Sequence, residues 1–397
     1  MIASLPVPTR AVASSQPPLH VLTLTPFYPV RDDDAQGCFV AEPLRWVESL
    51  GATNTVIAVR PFYYKRARAN GSAVPARWSH FLALPGGFGL SSAGSFLYTH
   101  IIRQVRALHR ARRVDIIHAH APLPCGHAAA LLSRQLGIPF VVTVHGLDAF
   151  STNQVKGRAG LWCRRVTHWV YGAARQVICI SEKVRERVAE GGAPANTAVV
   201  YNGVDARMFS PPERPLAANV LLSVGSLIPI KGHELLLRAF AAIQPRFPQL
   251  SCDIIGEGSE RSRLSALIQE LKLVGKARLL GRRSRAEVAE AMRGCTVFSL
   301  PSRYEGLGCV YLEAMSAGKP VIACRGQGID EVIVHGRNGQ LVRPDDLQGL
   351  CAALSELLQN PVHRRQMGEE ARRTILGGFT LAHQADRLAR IYRECAA

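Results

Sequence analysis

Short apolar runs alternate with helical patterns from about His20 to the carboxyl terminus, and they do so in two series. A proline cluster, Pro211, Pro212 and Pro215, separates the series. The first series holds HVLTLT (20–25), TVIAV (55–59), VDIIHAH (114–120), FVVTV (140–144), QVICI (176–180) and TAVV (197–200). The second opens at Asn219 with VLLSV and continues through DIIG (253–256), CTVFSL (295–300) and PVIA (320–323). Strand, helix, strand repeated in this way predicts parallel α/β layers, and the two series predict two facing α/β domains with a cleft between them. The expected division is a loose tail over 1–18, a first domain over 19–208, a linker over 209–217, a second domain over 218–379 and a last helical segment over 380–397.

One stretch of the second series carries two acids in a telling place. After the run ending at Leu300, Pro301 and Ser302 stop the strand. Gly306 and Gly308 follow, and then a helical pattern through Val310, Leu312, Ala314 and Met315, closed by Gly318. Glu305 falls in the loop and Glu313 inside the helix. A helix start offers free backbone N–H groups and a positive dipole end, which suit a phosphate. Gly306 and Gly308 let a ligand come close to the backbone, and Leu307 between them is an expected donor-binding residue. Carboxylates repel phosphate but accept from hydroxyl groups, so the expected ligand joins a phosphate to hydroxyl-bearing rings, as a sugar nucleotide does. The plainer reading is a solvated helix acid and a loop acid.

Bulk properties narrow the class. Hydrophobic residues make up 47% and charged residues 20% of the 397, which gives a globular chain with ample core. Ten cysteines form no C-x-x-C pair, which fits a reducing cytoplasm better than a disulfide framework or a zinc site. No apolar run approaches the ~20 residues of a membrane span. The tail lacks a continuous apolar core and reads as no signal peptide. Net charge is +18, with 22 Lys and Arg against 10 Asp and Glu in residues 1–200, and 26 against 20 in 201–397. That excess suits nucleic acid or an anionic membrane face, or reflects arginine-rich usage alone. In 98–113 the cations Arg103, Arg106, Arg110 and Arg113 share one helical face, and Tyr98, Ile101, Val105 and Leu108 another. Such a helix lies on an anionic bilayer or packs as an ordinary helix with a solvated basic face. His118, His120 and His127 lack an acid or cysteine at ligand spacing, so no metal is expected there.

The segment around Glu305 and Glu313 resembles the E-x7-E signature of retaining glycosyltransferases of the GT-B fold, particularly glycosyltransferase family 4. The downstream ACRGQGIDEVI resembles a subgroup that builds bacterial cell-surface polysaccharides. The resemblance runs from about His20 to the carboxyl terminus. It implies two facing Rossmann-like, doubly wound domains, with the donor nucleotide on the second, the acceptor on the first, and the last helix crossing back over the first.

Residue by residue, His145-Gly146-Leu147-Asp148 is similar to the family's H-G-x-D element. This implies that His145 touches donor-sugar hydroxyls. Gly37 would let backbone approach the donor phosphates. His118 and His120 would face the cleft on the acceptor side. Asn202-Gly203-Val204-Asp205 resembles the family's turn before the linker. Where the family reads G-R-L followed by K-G, this chain has Gly225-Ser226-Leu227 and Lys231-Gly232. Lys231 matches and Ser226 does not, so one charge-assisted diphosphate contact of about 1.5–3 kcal/mol is missing or supplied elsewhere. Arg282 lies in the loop where relatives hold the base by backbone groups.

The resemblance implies a retaining hexosyltransferase that needs neither metal nor cofactor. It would use a UDP-sugar before GDP-mannose, with Glu305 on the sugar, Glu313 on the ribose and Lys231 on the diphosphate. A lipid-linked saccharide acceptor and a peripheral place on the cytoplasmic membrane face follow from the subgroup and the basic first half. The alternatives are a sugar-nucleotide epimerase of the same fold, a phosphorylase, which would need a lysine-bound pyridoxal group, and a nucleic-acid binder. The last lacks aromatic-basic repeats and zinc-finger spacing, so no nucleic-acid partner is expected.

Overall fold

The computed structural model of the chain describes residues 18–30, 37–63, 75–83, 89–146, 148, 155, 157–190, 192, 196–213 and 219–397. The tail before Pro18, the basic residues Lys65, Arg66 and Arg68, Leu147, and Pro215 of the linker lie outside the described residues.

Two parallel sheets form the core. The first holds β1 (Leu19–Thr25), β2 (Ala52–Pro61), β3 (Ala76–Phe81), β4 (Ile116–His120), β5 (Phe140–Val144), β6 (Gln176–Cys179) and β7 (Thr197–Val199), in the order β3-β2-β1-β4-β5-β6-β7. The second holds β8 (Val220–Val224), β9 (Ser251–Ile255), β10 (Ala277–Gly281), β11 (Val297–Ser299), β12 (Val321–Cys324) and β13 (Gln340–Val342), in the order β10-β9-β8-β11-β12-β13. Every residue of β4 and of β5 is buried, as strands covered by helices on both faces must be. The edge strand β3, ARWSHF, has a mixed, half-exposed pattern and carried no strand signal in the sequence.

The described helices are α1 (Cys38–Ser49), α2 (Leu90–Ala111), α3 (His127–Leu136), α4 (Gly157–Ala173), α5 (Glu182–Glu190), α6 (His233–Ile243), α7 (Arg261–Glu270), α8 (Arg285–Gly294), α9 (Cys309–Ser316), α10 (Leu347–Gln359), α11 (Pro361–Gly378) and α12 (Leu381–Ala396). Their starts follow local chemistry. Ser284 and Glu287 form a capping box before α8, and Asp346 accepts from the Gly349 N–H at 2.8 Å ahead of α10. The expected helix over 125–136 begins two residues late, because Pro122–Gly126 form a wider turn.

The last helix does cross back. Ala385, Leu388, Ile391 and Tyr392 of α12 share one apolar cluster with Val21, Val47, Ile116 and Val141 of the first domain. The Asn202–Asp205 turn fixes the crossing. Leu381 N donates to Val204 O at 3.1 Å, and a Cβ on Gly203 would sit 2.4 Å from Thr380 O, so only glycine fits. Phe209, expected as the first linker residue, is fully buried.

The basic helix α2 is a packed helix. Leu97, Ile101 and Val105 have no exposed surface, so each contributes about 1.5–3 kcal/mol of burial to the first-domain core. Its apolar side is therefore not free to enter a lipid interface, a correction to the in-plane reading. Arg103 and Arg110 remain exposed and Arg106 half-buried, while Arg113 lies beyond the helix end. Among the described residues no helix is long and apolar enough to cross a membrane.

In each sheet the chain changes direction once, between β1 and β4 and between β8 and β11. Ligands of open α/β sheets sit beyond the carboxyl ends of the strands at such points. The loops after β1, β5, β8 and β11 meet there, and they carry most of the residues singled out above.

Candidate active site

A cavity of about 320 Å³ lies between the domains. The first domain lines it with Cys38, Phe39, His145 and Asn202. The second contributes Ser226, Lys231, Arg285 and Glu305 through Cys309, together with Glu313. Of the expected residues, His145, Ser226, Lys231, Glu305, Gly306, Leu307, Gly308 and Glu313 thus share one cavity, although they lie up to 168 positions apart in the chain.

Lys231 and Glu305 form a nearly buried ion pair, Nζ to Oε1 at 2.6 Å, with side chains 19% and 10% exposed. Ser302 donates to the same carboxylate at 3.0 Å. Glu305 N donates to Gln327 Oε1 at 3.0 Å, and Gln327 Nε2 returns to Arg303 O at 2.9 Å. The loop is therefore held at both its side chain and its backbone. Removing one member of such a buried pair costs about 3–5 kcal/mol, because the other charge is stranded. Gly308 has φ 82° and sits at the start of α9, where a side chain would strike the Tyr311 ring. Glu313, one and a half turns into α9, is 4% exposed.

The domains touch closely around the cavity. A Cβ on Gly306 would lie 2.6 Å from His145 O and 3.2 Å from Gly146 Cα. Ser181 donates to Gly306 O at 2.6 Å. Glu331 of the second domain accepts from the N–H groups of Glu182 and Lys183 at 2.8 and 2.7 Å and from the Tyr201 hydroxyl at 3.0 Å, capping α5 of the first. A carboxylate at a helix start is favoured by the dipole there.

His145 heads a row of neutral imidazoles. Its backbone N–H donates to the Asp148 carboxylate at 2.8 Å, which ties that side chain to the turn. Its Nε2 shares a hydrogen bond of 2.9 Å with His120 Nδ1, and Phe27 and Phe39 pack edge-on against its ring. The His118 ring packs tilted against His120 and bonds Tyr392 and Thr143 at 2.6 and 2.7 Å. Burial drives His145 down to about 3, and burial with the neighbouring His145 does the same to His118. His120 is also held well below its usual value, first by burial and then by both neighbours. His145 Nδ1 is buried and meets no hydrogen-bond partner among the described residues.

Several expected positions fall elsewhere. His118 is 1% exposed and lies outside the main cavity, and with His120 and His145 it lines a narrow hollow beside it. Gly37 sits with φ 85° against the Tyr28 backbone at the start of α1, and its neighbour Cys38 lines the cavity instead. Arg282 is exposed and outside the cavity, as are Arg103 and Arg110, and the half-buried Arg106 lies outside it too. Among the described residues no group of three His, Cys, Asp or Glu side chains is placed to hold a metal.

The sequence reading missed Arg285. It is 5% exposed, pairs with Glu313, and reaches Glu42 of the first domain at 2.9–3.0 Å. Burial raises the Glu42 carboxyl, and the Arg285 charge opposes that rise. The Ser284-x-x-Glu287 capping signal could have placed Arg285 at a helix start, but nothing local pointed it toward Glu313.

Two parallel-sheet domains that enclose phosphate-suited backbone, a lysine and two acids define the GT-B class of glycosyl-transferring proteins. Residues 206–374 match the family "Glycosyl transferases group 1" and residues 40–207 match "Glycosyltransferase Family 4". An uncharacterized glycosyltransferase of Methanocaldococcus jannaschii is 32% identical over 65% of this chain and 70% of its own length. A D-inositol 3-phosphate glycosyltransferase of Corynebacterium urealyticum is 30% identical over 70% of this chain and 71% of its own. The Alpha-D-kanosaminyltransferase of Streptomyces kanamyceticus is 29% identical over 78% and 85%. Among solved structures, a sucrose-phosphate synthase from Thermosynechococcus elongatus superposes with TM-score 0.79 at 21% identity, over 94% of this chain and 98% of that one. The HepE protein of Anabaena, in complex with UDP, superposes with TM-score 0.74 at 21% identity, over 95% and 100%. The chain belongs to this glycosyltransferase family.

Proposed function

We propose that the chain transfers a hexose from a nucleoside-diphosphate sugar to a saccharide acceptor with retention of anomeric configuration. The observation that carries this is the shared cavity of Lys231, Glu305, the Gly306–Gly308 backbone and Glu313, closed from the other side by His145. In this reading the positive groups face the departing diphosphate and the acids face hydroxyls of the sugar and ribose.

In this reading Lys231 and the start of α9 stabilise the charge that grows on the departing diphosphate. Glu305 accepts from hydroxyls of the sugar while it keeps Lys231 in place, and Glu313 accepts from the ribose. His145 is neutral and lines the cavity from the first domain, on the side of the sugar. Both cavity carboxylates are engaged by cations, which leaves neither as an evident nucleophile. The acceptor then attacks on the leaving-group face, and a diphosphate oxygen takes its proton. Closure around the cavity keeps water from intercepting the sugar. No step in this sequence calls on a metal or cofactor.

A UDP-sugar is the favoured donor, in keeping with the UDP and UDP-glucose complexes of HepE. The acceptor is a lipid-linked saccharide of cell-surface polysaccharide synthesis at the inner membrane face. The basic excess of residues 1–200 supports that setting, through charge alone, since the apolar side of α2 is in the core. Binding to anionic vesicles that vanishes with salt is the expected result, and equal binding to neutral vesicles counts against it.

The test of the reaction is twofold. Glu313→Gln should weaken donor binding at least tenfold. Proton NMR of the product should show the donor's own anomeric configuration. Unchanged donor affinity or an inverted product would refute the assignment. An epimerase would convert the sugar nucleotide with no acceptor present, which the same spectra would reveal.

A further inference from the structure

We propose that Arg285 is a positioning residue for the donor site: it orients the Glu313 carboxylate because Glu42 of the facing domain holds its guanidinium. The proposal rests on the reading of the cavity as the seat of a donor nucleotide.

Arg285 stands where a cation is disfavoured twice over. It is the first residue of α8, at the positive end of the helix dipole, and it is 5% exposed. A lone buried guanidinium is strongly destabilising. Its own helix does not compensate, since the capping box of Ser284 and Glu287 is satisfied internally. The compensation comes from two other elements. Nη1 donates to Glu313 Oε1. Nε and Nη2 donate to Glu42 at 3.0, 2.9 and 3.0 Å, engaging both carboxylate oxygens. The Phe209 ring lies 4.7 Å from the guanidinium carbon.

The division of that fork matters. Glu313 and Arg285 belong to the second domain, whereas Glu42 sits on α1 of the first, 243 positions away. With its Nε–Nη2 edge taken by Glu42, Arg285 has one nitrogen left for Glu313 and reaches one of its oxygens. The other oxygen stays available to a ligand hydroxyl. Without Glu42, the planar fork would close on Glu313 in its preferred bidentate manner and cover both oxygens. Glu42 thus tunes a ligand contact from the opposite domain without touching the ligand. The acid is set for its hydroxyl only when the domains stand as they do here.

The test is a double-mutant cycle on the full chain, read as the affinity for UDP and, in parallel, for GDP by titration calorimetry. Glu42→Gln should weaken nucleotide binding about 5- to 150-fold in the wild-type background, the range of a 1–3 kcal/mol coupling. In the Glu313→Gln background it should change affinity less than twofold, because its target is gone. Equal losses in both backgrounds would mean a merely structural role and would overturn the proposal. Arg285→Lys keeps the charge but not the fork, and should reproduce the Glu42→Gln loss. Wild-type affinity in that variant would also overturn it, and it serves where Glu42→Gln fails to fold. Should Glu313→Gln bind both nucleotides as the wild type does, the donor-site reading itself falls, a failure distinct from additivity in the cycle.

Discussion

Gly306→Ala probes the contact between the domains with one methyl group. The backbone there is not in the left-handed region, so alanine brings no local strain. All the nearest atoms to the new Cβ belong to the first domain: His145 O at 2.6 Å, with Gly146 Cα and an Ile180 methyl at 3.2 Å. A carbon this close to a carbonyl oxygen is about 0.7 Å inside the usual 3.3–3.6 Å contact. Overpacking of this kind costs about 1–3 kcal/mol, and the domains can relieve it by separating. That shifts closure by a factor of about 5–150. The cores of the separate domains are untouched, so the melting temperature should move by no more than a few degrees. Small-angle scattering should report a larger radius of gyration, and kcat/KM for transfer should fall by about the closure factor. Wild-type scattering together with wild-type kcat/KM would refute the claim that this contact is part of the working state.

Two further outcomes follow from the structure. Burial holds His118 and His145 near 3 and His233 near 4, so these groups are neutral when folded but take up a proton when unfolded below their ordinary 6.5. Stability should therefore be full above pH 6.5 and be lost as pH falls toward 4, at roughly 1.4 kcal/mol per pH unit for each such histidine. Thermal melts at pH 7, 6 and 5 should show the decline, His118→Asn should flatten it, and a level profile would contradict the burial argument. Arg282→Ala removes an exposed side chain outside the cavity, so donor affinity should stay within twofold, and a tenfold loss would bring that residue back into the site.

Much of the fold was legible because parallel strands covered on both faces write themselves as apolar runs, and ten such runs in two series leave few alternatives. The edge strand β3 was not, since ARWSHF is half-exposed and its pairing comes from β2 rather than from its own pattern. In the site, the spacing of Glu305 and Glu313 was visible locally, as was Lys231. The partners of these groups were not. Arg285 meets Glu42 across 243 positions, and Glu331 caps a helix 149 positions away. Such pairs form only when the domains face each other, and no local period encodes them. The burial of the histidines was hidden for a related reason: His118 sits at a strand end near the cleft, and its partner Tyr392 comes from the returning helix.

The central claim is that this cleft holds a nucleotide sugar between Lys231, Glu305 and Glu313. Titration calorimetry of UDP-glucose and GDP-mannose against the wild-type chain and Lys231→Met tests it most directly. The account predicts saturable one-to-one binding of a nucleotide sugar by the wild type, UDP-glucose the tighter, and at least a tenfold loss in the variant. Binding of neither compound, or equal binding by both proteins, would contradict it.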